Sequence, residues 1–192
     1  MSTEKHPLSN QSVSGADKIV QILADQGVDT LFGYSGGAIL PVFDAVFRFN
    51  QTNKHADGSE VLPMVVPANE QGAGFMASGY ARASGKPGVV IVTSGPGATN
   101  CVTPIRDAMA DSIPMIIISG QVSTGAIGTD AFQEAPVNSL MGSIAKHVFL
   151  ITDPEKLEAT PGNLLVPLIK AVQELSQKVK ILENRVSILE NK

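Results

Sequence analysis

Gly88-Val-Val-Ile-Val-Thr93 is an unbroken β-branched run set between a glycine and a Ser-Gly-Pro-Gly turn. A run without polar alternation leaves no face for water, so it reads as a strand buried on both sides. Pro114-Met-Ile-Ile-Ile-Ser119 is a second run of the same kind. Helical patterns lie between such strands. Ser14 is a plausible N-cap, with Ala16, Ile19, Val20 and Leu23 following at helical spacing until Gly27. Thr30–Gly33 reads as a short strand running into the turn Tyr34-Ser-Gly-Gly37, and Ala38–Phe49 as a helix. Residues 50–60 read as a polar loop, Val61–Val66 as a strand, Asn69 as the cap of a helix that starts at Glu70, and Ala98–Ala110 as a further helix. This alternation predicts an α/β fold, a parallel sheet flanked by helices on both faces. Ligands of such sheets sit beyond the carboxyl ends of the strands. The three glycine-bearing turns, after residues 33, 93 and 119, fall at those ends.

The remaining composition narrows the function classes. The chain has 192 residues, 43% hydrophobic and 17% charged, enough for one ordinary domain and an appendage. Its net charge of −4 offers no basic field for a phosphate backbone, which argues against nucleic acid. The single Cys101 excludes a disulfide framework and a cysteine-based zinc site. His6, His55 and His147 have no ligand spacing, so no metal site is expected. No apolar run reaches membrane-span length, and the first thirteen residues lack a signal-peptide core or an Arg-rich transit pattern. A cytoplasmic protein without a membrane partner is expected.

Two segments carry candidate chemistry. Val66–Gly85 places one carboxylate, Glu70, at the start of a helix of small residues, with Gly or Ala at 72, 73, 74, 77, 79, 81 and 83. Such a surface lets backbone or a flat ligand approach closely, and a lone acid on it has few partners. Two readings stay open: an acid that shares a proton with a ligand, or a capping glutamate beside a tight helix contact. Thr93-Ser-Gly-Pro-Gly-Ala-Thr-Asn100 joins a strand to a helix. It suggests an anion site at a helix N-terminus or simply a tight turn, and it lacks the Lys and Ser/Thr of a P-loop.

Taken together with Phe32-Gly-Tyr-Ser-Gly-Gly-Ala-Ile-Leu-Pro41, Asn69–Ala73, Gly79–Gly88, Gly120-Gln-Val122 and Ile127-Gly-Thr-Asp-Ala-Phe-Gln-Glu134, these segments resemble acetolactate synthase, a thiamine-diphosphate enzyme of branched-chain amino acid synthesis. The resemblance spans roughly Ser14 to Ala159. It implies a thiamine-diphosphate-binding fold, pyrimidine module, and decarboxylative condensation of 2-keto acids, pyruvate to acetolactate. Glu70 matches the glutamate that hydrogen-bonds N1′ of the aminopyrimidine and so promotes loss of the thiazolium proton. Tyr34, Ser35, Thr93, Pro96, Gly97 and Asn100 match positions around the pyrimidine. Gly36, Gly37 and Ala38 match the turn at the reacting centre, Gln133 a glutamine near substrate, and Phe132 an apolar wall. The resemblance thus assigns the Gly-Pro-Gly turn to the pyrimidine end and not to a phosphate. Ser35 stands where the family has proline, and so does Ser123, at a position associated with inhibitor sensitivity.

Family members are much longer. They continue into an FAD-binding domain and then a module whose Gly-Asp-Gly and Asn hold Mg2+ and the diphosphate. No Gly-Asp-Gly occurs in this sequence. The expectation is a truncated module, inactive as a lone chain, that needs a partner chain to supply the diphosphate half. From Pro161 the texture changes. Leu168, Val172, Leu175, Val179, Leu182, Val186 and Leu189 form a heptad with Val at a and Leu at d. This pattern favours a parallel two-stranded coiled coil and hence a homodimer, against the alternative of a helix packed on its own domain. Residues 161–192 carry five Lys/Arg and three Glu, a local +2 against −6 for the rest. Leu164–Val179 also resembles the last helix of phage tail-fibre chaperone domains. The expected organisation is an arm over 1–13, the module over 14–160 and the helical tail over 161–192. A non-catalytic interaction protein assembled through that tail is the alternative function.

Overall fold

The computed structural model describes residues 13–151. The arm is therefore represented only by Val13. The coiled-coil tail, its dimer and the boundary near residue 160 lie outside the described residues.

Four parallel strands form one sheet: β1 (Leu31–Tyr34), β2 (Met64–Val65), β3 (Gly88–Val92) and β4 (Met115–Ser119), in the order β2-β1-β3-β4. Side chains alternate across a strand, and β3 shows both consequences. Val89 and Ile91 enter a core built with α1 (Gly15–Asp25) and α2 (Leu40–Thr52). Val90 and Val92 enter a second core built with α3 (Glu70–Ser84), α5 (Val102–Ala110) and α6 (Val137–Gly142). All five β3 residues are buried, as the uninterrupted apolar run predicts.

Local chemistry sets the helix ends. Ser14 Oγ accepts from Asp17 N at 3.1 Å and donates to the Asp17 carboxylate at 2.6 Å, so cap and first turn hold each other. Past the other end, Gly27 N donates to Ala24 O and Val28 N to Leu23 O, a Schellman stop that uses the left-handed Gly27 at φ 72°. Asn69 caps α3 by accepting from Gly72 N at 2.8 Å.

Three boundaries differ from expectation. The helix expected to end at Phe49 runs to Thr52, which buries Asn50. Asn50 then takes both backbone groups of Leu62, donating to its O at 2.8 Å and accepting from its N at 3.0 Å. Leu62 is thereby removed from the ladder, Pro63 has no N–H to offer, and the strand expected over Val61–Val66 shrinks to Met64–Val65. The helix expected over Ala98–Ala110 is two pieces, α4 (Pro96–Thr99) and α5, with Asn100 and Cys101 between them. Pro104 lacks the N–H that a continuous helix would aim at Asn100 O, so the chain opens there.

The path of the chain locates the crevice. From β1 it moves outward to β2 by way of α2, then returns past β1 to β3 by way of α3 on the opposite face. The order reverses between β1 and β3, and their carboxyl ends flank the switch point.

Candidate active site at the carboxyl ends of β1 and β3

The turns after β1 and β3 touch. A Cβ on Gly36 would lie 2.6 Å from Thr93 Cβ, so this position excludes any side chain. A Cβ on Gly97 would lie 2.7 Å from Thr93 Cγ2 and 3.5 Å from Glu70 Oε1. Thr93 is therefore held between two glycines of different turns, and its Oγ1 is buried without a hydrogen-bond partner among the described residues. A buried orphan hydroxyl costs stability and calls for an explanation.

Glu70 opens α3 and is only 8% exposed, a low value for a carboxylate. Its Oε2 accepts from Asn100 Nδ2 at 2.9 Å. No hydrogen bond to Oε1 is formed among the described residues, and that oxygen lies beside Gly97. Behind it, the Cys101 thiol donates to Glu70 O at 3.8 Å and to Gly97 O at 3.6 Å. Burial, with the Glu70 charge adding to it, pushes the Cys101 thiol up to about 12, so it remains a protonated donor at neutral pH. Cys101 is not among the candidate site residues of the sequence; its place next to Asn100 is the signal that could have found it.

The remaining candidates are arranged around this centre. Tyr34 ends β1 at 37% exposure, and Ser35 and Gly37 follow it at the surface. Pro96 is exposed at the start of α4. Gly95 has φ 49°, and a Cβ there would meet Gln133 O at 2.2 Å, so the Gln133 backbone lies directly on the Gly-Pro-Gly turn. Ala38 packs on Gly120, where an added Cβ would come within 3.0 Å of it. Phe132 is 88% exposed. Ser123 is exposed just ahead of the 3-10 turn Thr124–Ala126. Among the described residues, no group of three or more His, Cys, Asp or Glu is placed to hold a metal, and no helix is long and apolar enough to cross a membrane.

The donor set fits the aminopyrimidine end of thiamine diphosphate. A flat nitrogen heterocycle needs close backbone approach and a carboxyl that can share a proton. Gly36 and Gly97 let the backbone of the two turns close on Thr93, and Glu70 has one oxygen without a hydrogen bond among the described residues.

Comparison with known proteins agrees. Residues 13–141 match the family model for the thiamine pyrophosphate enzyme, N-terminal TPP binding domain. The catalytic subunit of mitochondrial acetolactate synthase from Saccharomyces cerevisiae is 49% identical over 172 residues, covering 83% of this chain and 24% of that protein. The large subunit of acetolactate synthase isozyme 2 from Escherichia coli is 43% identical over 191 residues, covering 91% of this chain and 33% of that protein. The chloroplastic acetolactate synthase of Arabidopsis thaliana is 42% identical over 177 residues, 86% of this chain and 25% of that protein. The chain thus spans about a quarter to a third of the length of these relatives. With a parallel sheet, a half-paired buried glutamate at its switch point and the family model running through both, the chain belongs to the thiamine pyrophosphate enzymes by way of their N-terminal TPP-binding domain.

Proposed function

We propose that this chain binds the aminopyrimidine of thiamine diphosphate at the β1/β3 switch point and contributes Glu70 as the proton-sharing acid for decarboxylative condensation of 2-keto acids. The Mg2+ and diphosphate contacts would come from a segment outside residues 1–192. When bound, the cofactor supplies the carbon nucleophile that takes up the keto acid and lets carbon dioxide leave. The observation that carries this reading is the Glu70 carboxyl, buried, held on one oxygen by Asn100 and open on the other beside Gly97. On this reading Thr93, onto which Gly36 and Gly97 let the two turns close, and Tyr34 would lie beside the ring, and Gln133, whose backbone rests on Gly95, near the substrate.

The test is complementation. The full chain alone is expected to form no acetolactate from pyruvate with thiamine diphosphate, Mg2+ and FAD. Adding a separately expressed segment that carries Gly-Asp-Gly is expected to restore turnover, and Glu70→Gln to abolish what is restored. Turnover by the lone chain would refute the need for a partner, and restored turnover that survives Glu70→Gln would refute the acid role.

A second reading is favoured by one feature. The outer face of α3 exposes Phe75 at 43% and Met76 at 47%, with Gly72 and Gly79 beside them and no charge among the four. This is the kind of face a subunit mimic would present to a full-length synthase. Co-purification with such a synthase, independent of Glu70→Gln and without gain of activity, would favour it.

A further inference from the structure

We propose that Asn100 is a positioning residue that decides which oxygen of Glu70 exchanges a proton. This rests on the proposed role of Glu70 and extends it to the residue that aims the acid.

The two oxygens of Glu70 are not equivalent. Oε2 faces the Asn100 amide nitrogen at 2.9 Å. An amide N–H can only donate, so the oxygen opposite must offer a lone pair. A proton on Oε2 would turn it into a hydroxyl oxygen, the poorer acceptor, and weaken that bond. The bond therefore favours any proton that Glu70 carries on Oε1, the oxygen beside Gly97. Asn100 thus acts as more than a generic neighbour: it biases one oxygen toward accepting and leaves the other as the exchange site.

The backbone is built to hold this donor in place. Asn100 sits where the helix expected over 98–110 is interrupted. Its own N–H donates to Pro96 O at 3.0 Å, closing α4, while Pro104 supplies no N–H to carry the helix through. One residue later the Cys101 thiol bridges the carbonyls of Glu70 and Gly97. Main chain and side chain of Glu70 are therefore both tied to the same two residues, 100 and 101.

The experiment uses the full chain and two probes, thiamine diphosphate and the analogue in which pyrimidine N1′ is replaced by C–H, titrated by NMR. The wild type is expected to favour the nitrogen probe by about tenfold or more, the usual scale of a hydrogen bond to an ionisable partner. Asn100→Ala is expected to bring that ratio close to one, because a loosened carboxyl no longer meets the ring nitrogen. Asn100→Asp keeps the shape but replaces the donor with an acceptor, so its ratio should fall at least as far at neutral pH. A space-filling role predicts the reverse order, with Asp nearly neutral. In the ligand-free wild type, one Asn100 amide proton should resonate downfield and return to the free-amide position in Glu70→Ala. Retention of the wild-type probe ratio in both Asn100 variants, or a free-amide resonance in the wild type, overturns this inference alone. Failure of the wild type to bind or distinguish the probes overturns the proposed function and this inference with it.

Discussion

The two ends of the sheet treat polar groups in opposite ways. At the amino end, Asp29 accepts from both Tyr80 and Lys86, so three titratable groups from the segments before β1 and β3 and from α3 satisfy one another. At the carboxyl end, among the described residues, Thr93 Oγ1 is buried with no partner and Glu70 is paired on one oxygen only. The same strands connect the two ends, so the difference is not one of scaffold. Polar capacity is used up where the fold needs only stability and is left over where a ligand is proposed to sit. A set of substitutions should therefore have different signs at the two ends.

The largest expected effect tests the carboxyl-end turn. Gly95→Ala must place a side chain at φ 49° and within 2.2 Å of Gln133 O, a backbone atom that cannot rotate away. A loss of about 3 kcal/mol is expected, and it should be accompanied by displacement of the Gln133 segment. Denaturant unfolding measures the first and amide shifts of residues 131–135 the second. A loss below about 1 kcal/mol would mean that this turn carries no strain to speak of.

Tyr80→Phe comes next and addresses the amino end. The ring stays, with its tilted contact to Phe32 at 5.8 Å, and only the hydroxyl that bonds Asp29 is removed. A loss of about 1 kcal/mol is expected from chemical unfolding. Thr93→Val is its counterpart at the other end. It replaces an unpartnered buried hydroxyl by a methyl of similar size, so stability should rise by up to about 1 kcal/mol. The same variant should bind thiamine diphosphate more weakly. If both substitutions destabilise equally, the two ends do not differ as described.

How much of this was legible in the sequence depended on the distance over which each feature is encoded. The buried strands were written in the continuous runs at Gly88–Val92 and Met115–Ser119, and the caps at Ser14 and Asn69 are decided within three residues. Glu70, Gly97 and Asn100 were legible as motif positions. Strand β2 was misjudged because Asn50, twelve residues away, competes for Leu62. The orphaned Thr93 hydroxyl follows from parallel strands setting Gly36 against it, which no local pattern reports. The amino-end cluster was missed for the same reason, since Asp29 meets partners 51 and 57 positions away. The helix break was open to reading, because Pro104 stands four residues after Asn100. The pattern of small apolar residues around it masked the interruption.

The smallest expected effect is also the one that separates the ends by pH. At Asp29, burial pushes the carboxyl up, but the hydrogen bonds from Lys86 and Tyr80 and the Lys86 charge outweigh it and leave it below the usual carboxylate range. Its contribution is present above the unfolded value of about 3.9 and is lost as pH falls through the lower folded value. Lys86 is raised by its hydrogen bond to Asp29 and by that charge, and Tyr80 by burial and then by Asp29. Their contributions are present below unfolded values of about 10 and are lost as pH rises through the folded ones. Lys86 and Asp29 side chains are 51% and 43% exposed, so solvent screening reduces the pair to a few tenths of a kcal/mol, about 1 at most. The stability gap between wild type and Lys86→Met should thus be constant from about pH 5 to 9, close below about pH 4 and above about pH 10, and narrow in high salt. The gap between wild type and Thr93→Val should not change across that range, because a hydroxyl does not titrate. Urea unfolding of the three proteins over pH reads both gaps, and a Lys86→Met gap that persists in acid would show that the amino end is not held by its charges.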